Sequence, residues 1–236
     1  MTMILDCTLR DGGYTNNWNF SFDYVCKYLN DMKQLNIKKL EIGYRSLVNN
    51  EEYGIHWTTP DDYIKTFNID KDISIGVMVN VKEISDDVDR YLSLLFPIKS
   101  RIDFVRLAVH VYDIEKVSPC VNWLKKQGYE VHVNVMKISE YSLDVISSVV
   151  STVSDTNADV LYFADSLGKL NNIQSVYNTA KLQWNKQLGF HGHNDETKTL
   201  ALSNSIFAKE IGVDYIDCTV AGIGRGYGNT DLKYMI

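Results

Sequence analysis

Two histidines separated by one residue, His191-Gly192-His193, are the strongest chemical signal in this 236-residue chain. On an extended strand, residues i and i+2 project from the same face, so both imidazoles address one point in space. Far upstream, Arg10-Asp11-Gly12 offers a carboxylate and a guanidinium side by side. If the two segments end neighbouring strands, Asp11, His191 and His193 make an N2O set for one divalent cation, with positions left for water and a chelating substrate. Oxygen and imidazole donors without thiolate suit Mn2+ or Mg2+, and Co2+ and Zn2+ are also compatible. An HxH pair by itself describes ordinary core or surface histidines equally well, so the elements that carry it decide.

Those elements show as periodicity. Short runs rich in Val, Ile and Tyr fall at 3–9, 37–43, 73–79, 103–109, 130–135, 159–163, 188–192 and 214–220. Amphipathic segments at 21–35, 60–67, 86–95, 113–127, 140–153, 171–183 and 195–211 separate them. Asp23 to Met32 carries the 3.6-residue apolar spacing of a helix. Gly128 after Lys125-Lys126 and Gly212 after Lys209-Glu210 mark helix ends. Alternating strands and helices imply a parallel sheet. Eight such units match a (β/α)8 TIM barrel, an α/β fold of ~250 residues. A doubly wound open sheet is the alternative, since periodicity alone does not close a barrel. The eighth run leaves room for one helical turn, from Thr230-Asp231-Leu232 to Ile236. The expectation is therefore a single barrel domain over 1–236 whose last helix is incomplete at the C-terminus, an excerpt of a longer protein.

In a barrel the chemistry sits at the C-terminal strand ends. Four of those ends are polar here: Thr8-Leu9-Arg10-Asp11-Gly12-Gly13-Tyr14, Leu40-Glu41-Ile42-Gly43-Tyr44, His191 to Asp195, and the glycine-rich Ala221 to Asn229. Arg106 on the fourth strand is a candidate for receiving a substrate carboxylate bidentately, or else an inter-strand ion pair. Gly222 and Gly224 are candidates for offering backbone amides to a phosphate or carboxylate, or serve only the turn. Asn134, Asp165 and Thr219 end near the same mouth and join them as substrate-contact candidates. His110 and His132 read as structural.

Composition narrows the class. Hydrophobic content of 45% and charged content of 23% describe a globular chain. The net charge of -6 argues against nucleic acid or an anionic membrane as partner. No apolar run approaches the ~20 residues of a membrane span, and no basic segment followed by an apolar one marks a signal peptide. Cys7, Cys26, Cys120 and Cys218 form no CxxC pair and read as free thiols, which fits a reducing, cytoplasmic setting.

Taken together, TLRDGGY, LEIGY, HGHND and AGIGRGYGN resemble the HMG-CoA lyase-like family, also called the DRE-TIM metallolyase superfamily. The resemblance spans the whole chain and leans toward the 4-hydroxy-2-oxovalerate aldolase branch. It implies that Asp11, His191 and His193 bind a divalent metal, with Asn229 a further ligand. It implies that Arg10 stabilises an enolate oxygen and that Glu41 belongs to the same polar network. Breaking a C–C bond beside a carbonyl generates an enolate, and a chelated cation and a guanidinium both stabilise its oxygen.

Two departures bear on substrate. Where the aldolase branch has a catalytic acid/base histidine, this chain has Tyr14, so either Tyr14 does that work or the chemistry differs. Isopropylmalate-type synthases continue Arg-Asp-Gly with Glu-Gln, whereas Gly13-Tyr14 follows here. Ala164 stands where biotin carboxyltransferases carry a carbamylated lysine, which speaks against carboxyl transfer. The leading expectation is a metal-dependent aldolase or lyase acting on a small 2-oxo acid. The alternatives are a Claisen-type acyltransferase using acetyl-CoA and a non-catalytic barrel module in a larger assembly. A shortened barrel also exposes apolar surface, so either homodimer contacts or poor stability is expected there.

Overall fold

The computed structural model describes residues 2–48, 50–97, 101–197 and 199–236. Eight parallel strands close into a barrel in sequence order: β1 (Met3–Asp6), β2 (Lys39–Tyr44), β3 (Ser74–Asn80), β4 (Phe104–Val109), β5 (Glu130–Val135), β6 (Val160–Asp165), β7 (Gln187–Gly192) and β8 (Tyr215–Cys218). Closure is direct, with Met3, Ile4, Leu5 and Asp6 pairing Tyr215, Ile216, Asp217 and Cys218. The (β/α)8 expectation holds and the open sheet is excluded.

Eight helical segments accompany the strands: α1 (Thr8–Asp11), α2 (Phe22–Gln34), α3 (Asp61–Ile64), α4 (Val88–Leu95), α5 (Val117–Lys126), α6 (Leu143–Ser154), α7 (Ile173–Lys181) and α8 (Leu200–Glu210). Side-chain oxygens of Ser21, Asp87, Ser142 and Asn172 cap α2, α4, α6 and α7 by accepting a backbone N–H three residues on. After β8 the described residues form 3-10 turns at Val220–Gly222 and Leu232–Tyr234. Lys198, inside the 195–211 segment, lies outside the described residues.

The core is layered. Strand residues pointing outward, such as Ile75, Val105, Val133, Leu161 and Ile216, pack against the helices in one large buried cluster. Inward residues Leu5, Phe104, Val160, Tyr162 and Tyr215 fill the barrel itself. Two glycines make room for the rings there. A Cβ at Gly76 would come within 2.2 Å of the Phe104 ring, and one at Gly189 within 2.3 Å of the Tyr162 ring. Small against large on paired strands is how a narrow barrel fills without voids. No described helix is long and apolar enough to cross a membrane. Cys7, Cys120 and Cys218 are buried free thiols and Cys26 is an exposed one.

At the N-terminal end a repeated device aligns the strands. Asp103, Asp159 and Asp214 each precede a strand and accept the backbone N–H of Ile75, Val131 and Leu188 at 2.8, 2.7 and 2.8 Å. A carboxylate on a strand N–H is a charge-assisted bond, and three of them tie β3 to β4, β5 to β6 and β7 to β8.

Candidate metal centre

β1 ends one turn earlier than its apolar run suggests. The chain folds at Cys7 into the short helix α1, and this turn swings Arg10 and Asp11 over the barrel mouth, both buried. β7 brings His191 to the same place, and His193 follows just beyond it. The Nε2 atoms of His191 and His193 are 3.1 Å apart, and they lie 3.5 and 3.8 Å from Asp11 Oδ2. All three residues are buried and their ligand atoms converge on one point. Asn229 donates its amide N–H to Asp11 Oδ2, while its Oδ1 is buried without a partner.

A cation fits this set on the chemistry of its donors. His191 Nδ1 is 2.7 Å from Asp217 Oδ2, so with a cation on Nε2 the ring's proton would sit on Nδ1 and be held by that carboxylate. Nε2 of His193 and Oδ2 of Asp11 face the same space, and the Asn229 amide touches that Oδ2 through its N–H. Two imidazoles and a carboxylate whose ligand atoms lie this close form a set that a divalent ion would bind. Gly224 closes the cradle, because a Cβ there would sit 2.2 Å from Asn229 Oδ1 and 3.0 Å from Asp11 Oδ2.

Electrostatics agree. Burial pushes the Asp11 carboxyl up, but Arg10 and the two histidines outweigh it and hold it well below the usual carboxylate range. The imidazoles separate: burial lowers both, yet hydrogen bonds to Asp11 and Asp217 leave His191 raised, whereas His193 falls to about 3. His193 is therefore neutral at physiological pH, the state a ligand needs.

Behind the ligands runs a chain of buried ion pairs. Arg10 donates from Nε to Glu41 at 2.5 Å and from Nη1 to Asp11 at 2.7 Å. Glu41 accepts in turn from Arg106 Nε at 2.9 Å, and Arg106 reaches Asp217 Oδ2 with both remaining nitrogens, at 2.5 and 2.7 Å. Asp217 closes the chain on His191. Arg106 also stacks on the Tyr162 ring at 4.3 Å.

Several nominated substrate contacts have partners within the protein, and for Arg106 and Gly222 these match the structural alternative the sequence left open. Arg106 is fully buried inside the barrel with its guanidinium committed to Glu41 and Asp217, so it steadies the centre from below instead of receiving a substrate carboxylate. The Asp165 carboxylate accepts the backbone N–H groups of Lys169 and Leu170 at 3.0 and 2.8 Å, which fixes the turn after β6. The amide of Gly222 is spent on Thr219 O, and its φ of +66° serves the turn. Asn134 and Thr219 are buried at the mouth, with Asn134 Oδ1 and Thr219 Oγ1 unpartnered. Tyr14 stands at the rim, 43% exposed, its hydroxyl 3.1 Å from that of Tyr44. Asp217 was not among the residues the sequence nominated. Its signal was its place on β8, two residues before Thr219 and on the same inward face.

A closed α/β barrel with two histidines and an aspartate meeting at its C-terminal mouth is the frame of a metal-site barrel enzyme. A family model described as HMGL-like matches residues 2–236, and the chain belongs to that family, within the DRE-TIM superfamily. It is 26% identical over 239 residues to an oxaloacetate decarboxylase of Mycobacterium tuberculosis, covering 99% of this chain and 68% of that protein. It is 24% identical over 238 residues to a 4-hydroxy-2-oxovalerate aldolase of Geobacillus thermodenitrificans, again covering 99% and 68%. Both relatives are lyases, and the chain is an enzyme of that general kind. Among solved structures, the N-terminal domain of a Bacteroides vulgatus protein provisionally described as an aldolase superposes with a TM-score of 0.85 at 32% identity, over 99% of this chain and 77% of that one. The carboxyl transferase domain of Rhizobium etli pyruvate carboxylase shares the fold, with a TM-score of 0.76 at 13% identity over 100% of this chain and 42% of that one.

Proposed function

We propose that this barrel is a divalent-metal-dependent lyase that breaks or forms the C–C bond next to the carbonyl of a 2-oxo acid, through a pyruvate-type enolate. One observation carries the reading. Arg10 has two nitrogens fixed by Glu41 and Asp11, while its third, Nη2, is buried and unpartnered beside the converging ligands. A buried guanidinium N–H left open is costly unless something negative arrives there. The names of the two relatives support the reading, because decarboxylation of oxaloacetate and cleavage of a 4-hydroxy-2-oxo acid both leave a bond's electron pair beside a 2-oxo group.

In the cleavage direction the 4-hydroxyl loses its proton, the C–C bond breaks, and an aldehyde departs. The electron pair passes into the 2-oxo acid fragment, which then takes a proton on carbon to become a methyl group. A cation held by Asp11, His191, His193 and Asn229 supplies Lewis acidity toward the substrate's carbonyl. Mn2+ or Mg2+ suits that oxygen- and imidazole-rich set. Arg10 aims Nη2 at the oxygen where negative charge develops, and Glu41 with Arg106 holds it in place so that no reorganisation is needed at that moment. Tyr14, hydrogen-bonded to Tyr44, is the exposed phenol positioned to carry the proton.

The test is isotope exchange. Pyruvate incubated with the protein and Mn2+ in deuterated buffer should exchange its methyl protons, and an aldehyde panel should give 4-hydroxy-2-oxo acids. No exchange, together with condensation of acetyl-CoA onto a 2-oxo acid, would assign the Claisen chemistry instead.

A further inference from the structure

Three adjacent strands end in register at the side of the mouth opposite β7. Asn80 of β3 pairs Ala108 of β4, and Ala108 pairs Asn134 of β5. Two residues beyond each stand Lys82, His110 and Met136, with Lys137 next to Met136. Lys137 is held in a left-handed conformation at φ 57°, uncommon for a residue with a side chain and costly unless its surroundings impose it. Its backbone N–H donates to Ser166 Oγ at 3.0 Å, and Arg225 of the glycine-rich loop donates to the carbonyl of the same Ser166 at 2.6 Å. The two cations are thus anchored on either side of one residue.

We propose that Lys82, His110, Lys137 and Arg225 form a basic rim that binds an anionic group, carboxylate or phosphate, at the far end of the aldehyde released or accepted by the enzyme. The proposal rests on the pyruvate-enolate reading and names its second substrate. Lys82 makes no ion pair among the described residues. Nearby carboxylates are otherwise engaged. Asp113 pairs with Lys116 at 2.9 Å and Glu83 accepts from Ser46 and Asn80 at 2.7 and 3.0 Å, while Glu140 makes a long, half-exposed ion pair with Lys137 at 3.8 Å that an arriving anion would compete with. Four cationic or protonatable groups gathered on one rim stand out in a chain of net charge -6. His110 Nδ1 is buried without a partner, and its ring stacks on Tyr112 at 4.9 Å.

Arg225 links the rim to the metal centre. Burial is the main cause of the lowered basicity of both His193 and His110, and the charge of Arg225 adds to it in each. Lys137 and Lys82 contribute to the same lowering at His110. Arg225 belongs to the same glycine-rich loop as Asn229, four residues before it. Ala108, Met78 and Met136 belong to one apolar cluster at these strand ends, together with Trp18 and Tyr44, which offers a floor for a short carbon chain. An acceptor would lay its carbonyl toward the enolate, its chain on this floor and its charge on the rim.

The experiment compares acceptors in aldol addition with pyruvate and Mn2+: succinic semialdehyde for a carboxylate, glyceraldehyde 3-phosphate for a phosphate, and propanal for neither. At least one anionic acceptor should exceed propanal about tenfold or more in kcat/KM, and the better of the two names the group. Lys82→Gln and Lys137→Asn, the latter tolerating the left-handed backbone, should each erase most of that preference while leaving propanal turnover and pyruvate exchange unchanged. Calorimetry with succinate and inorganic phosphate probes the rim without any reaction: binding should weaken several-fold in each variant. Equal kcat/KM for charged and neutral acceptors, or loss of all activities alike in the variants, would overturn the rim. If pyruvate exchange fails while anion binding still depends on Lys82 and Lys137, the rim stands and the enolate reading falls. If neither anion binds the wild-type protein, the rim falls whatever the exchange shows.

Discussion

A guanidinium with one nitrogen left open and two clamped is poised in a way a free arginine is not. Arg10→Ala should lower turnover by about 10^2-fold or more, the usual effect of deleting one oxyanion donor. Mn2+ affinity should stay near the wild-type value, because Arg10 touches Asp11 through Oδ1 while Oδ2 faces the histidines. Titrating Mn2+ by paramagnetic resonance checks this, and parallel loss of affinity and turnover would make Arg10 a mere support for Asp11. Asp217→Asn acts one step further out. It replaces the acceptor that holds the His191 proton on Nδ1, and metal affinity should fall roughly 10- to 100-fold. The residues of the centre were legible because HxH and Arg-Asp-Gly have few innocent explanations on strand ends of one barrel. Arg106 and Asp165 misled because a polar residue near a strand end looks the same whether it faces substrate or a buried partner. Only the partners, Glu41 and Asp217 for one and the turn amides for the other, tell them apart.

At the scale of elements, the inward face of β5 carries a residue with its own pH signature. His132 is fully buried, stacked between Phe104 and Tyr162 at 4.9 and 5.6 Å, and donates its Nε2–H to Glu130 at 2.7 Å. Burial, only partly offset by Glu130, lowers its pKa to about 4. The unfolded chain, titrating near 6.5, therefore binds the proton first, and stability falls as pH drops from about 6.5 toward 4. This residue's share of that loss amounts to roughly 3 kcal/mol. His132→Phe keeps the stack and removes the proton, so urea unfolding at pH 7 and pH 4.5 should show a smaller decline than in the wild type. An identical decline in both proteins would place the pH dependence elsewhere. The strands themselves were readable because buried parallel strands are unbroken apolar runs, and the helices because one face repeats every 3.6 residues. The turn at Cys7 was not. Leu9 continues the apolar run of β1, and nothing local says that Thr8 to Asp11 coil into α1. Asp103, Asp159 and Asp214 were read as the first residues of their own strand runs, and nothing local tells that each carboxylate works on a neighbouring strand.

At the scale of the whole molecule, the cation couples chemistry to stability. On the proposed reading a cation held by Asp11, His191, His193 and Asn229 would tie the two ends of the chain together, which should raise the melting temperature on Mn2+ addition and lower it with EDTA. Activity should follow the same switch, abolished by EDTA and restored by Mn2+ or Co2+. A lysine at the mouth such as Lys137 could mimic this chemistry through an imine, and borohydride with pyruvate should trap no adduct. An aldolase that ignores EDTA would overturn the metal reading for the entire barrel.

The ion-pair chain from Arg10 through Glu41, Arg106 and Asp217 to His191 lies below the loops, strung across β2, β4, β7 and β8. The side chains of the rim stand above it, on the segments that follow β3, β4, β5 and β8. Reactivity and substrate choice are thereby carried by separate storeys of the molecule. Loops on the upper storey can be exchanged, lengthened or recharged without disturbing the lower one, so a library that randomises positions 82, 110 and 137 should yield new acceptor preferences while the enolate chemistry persists.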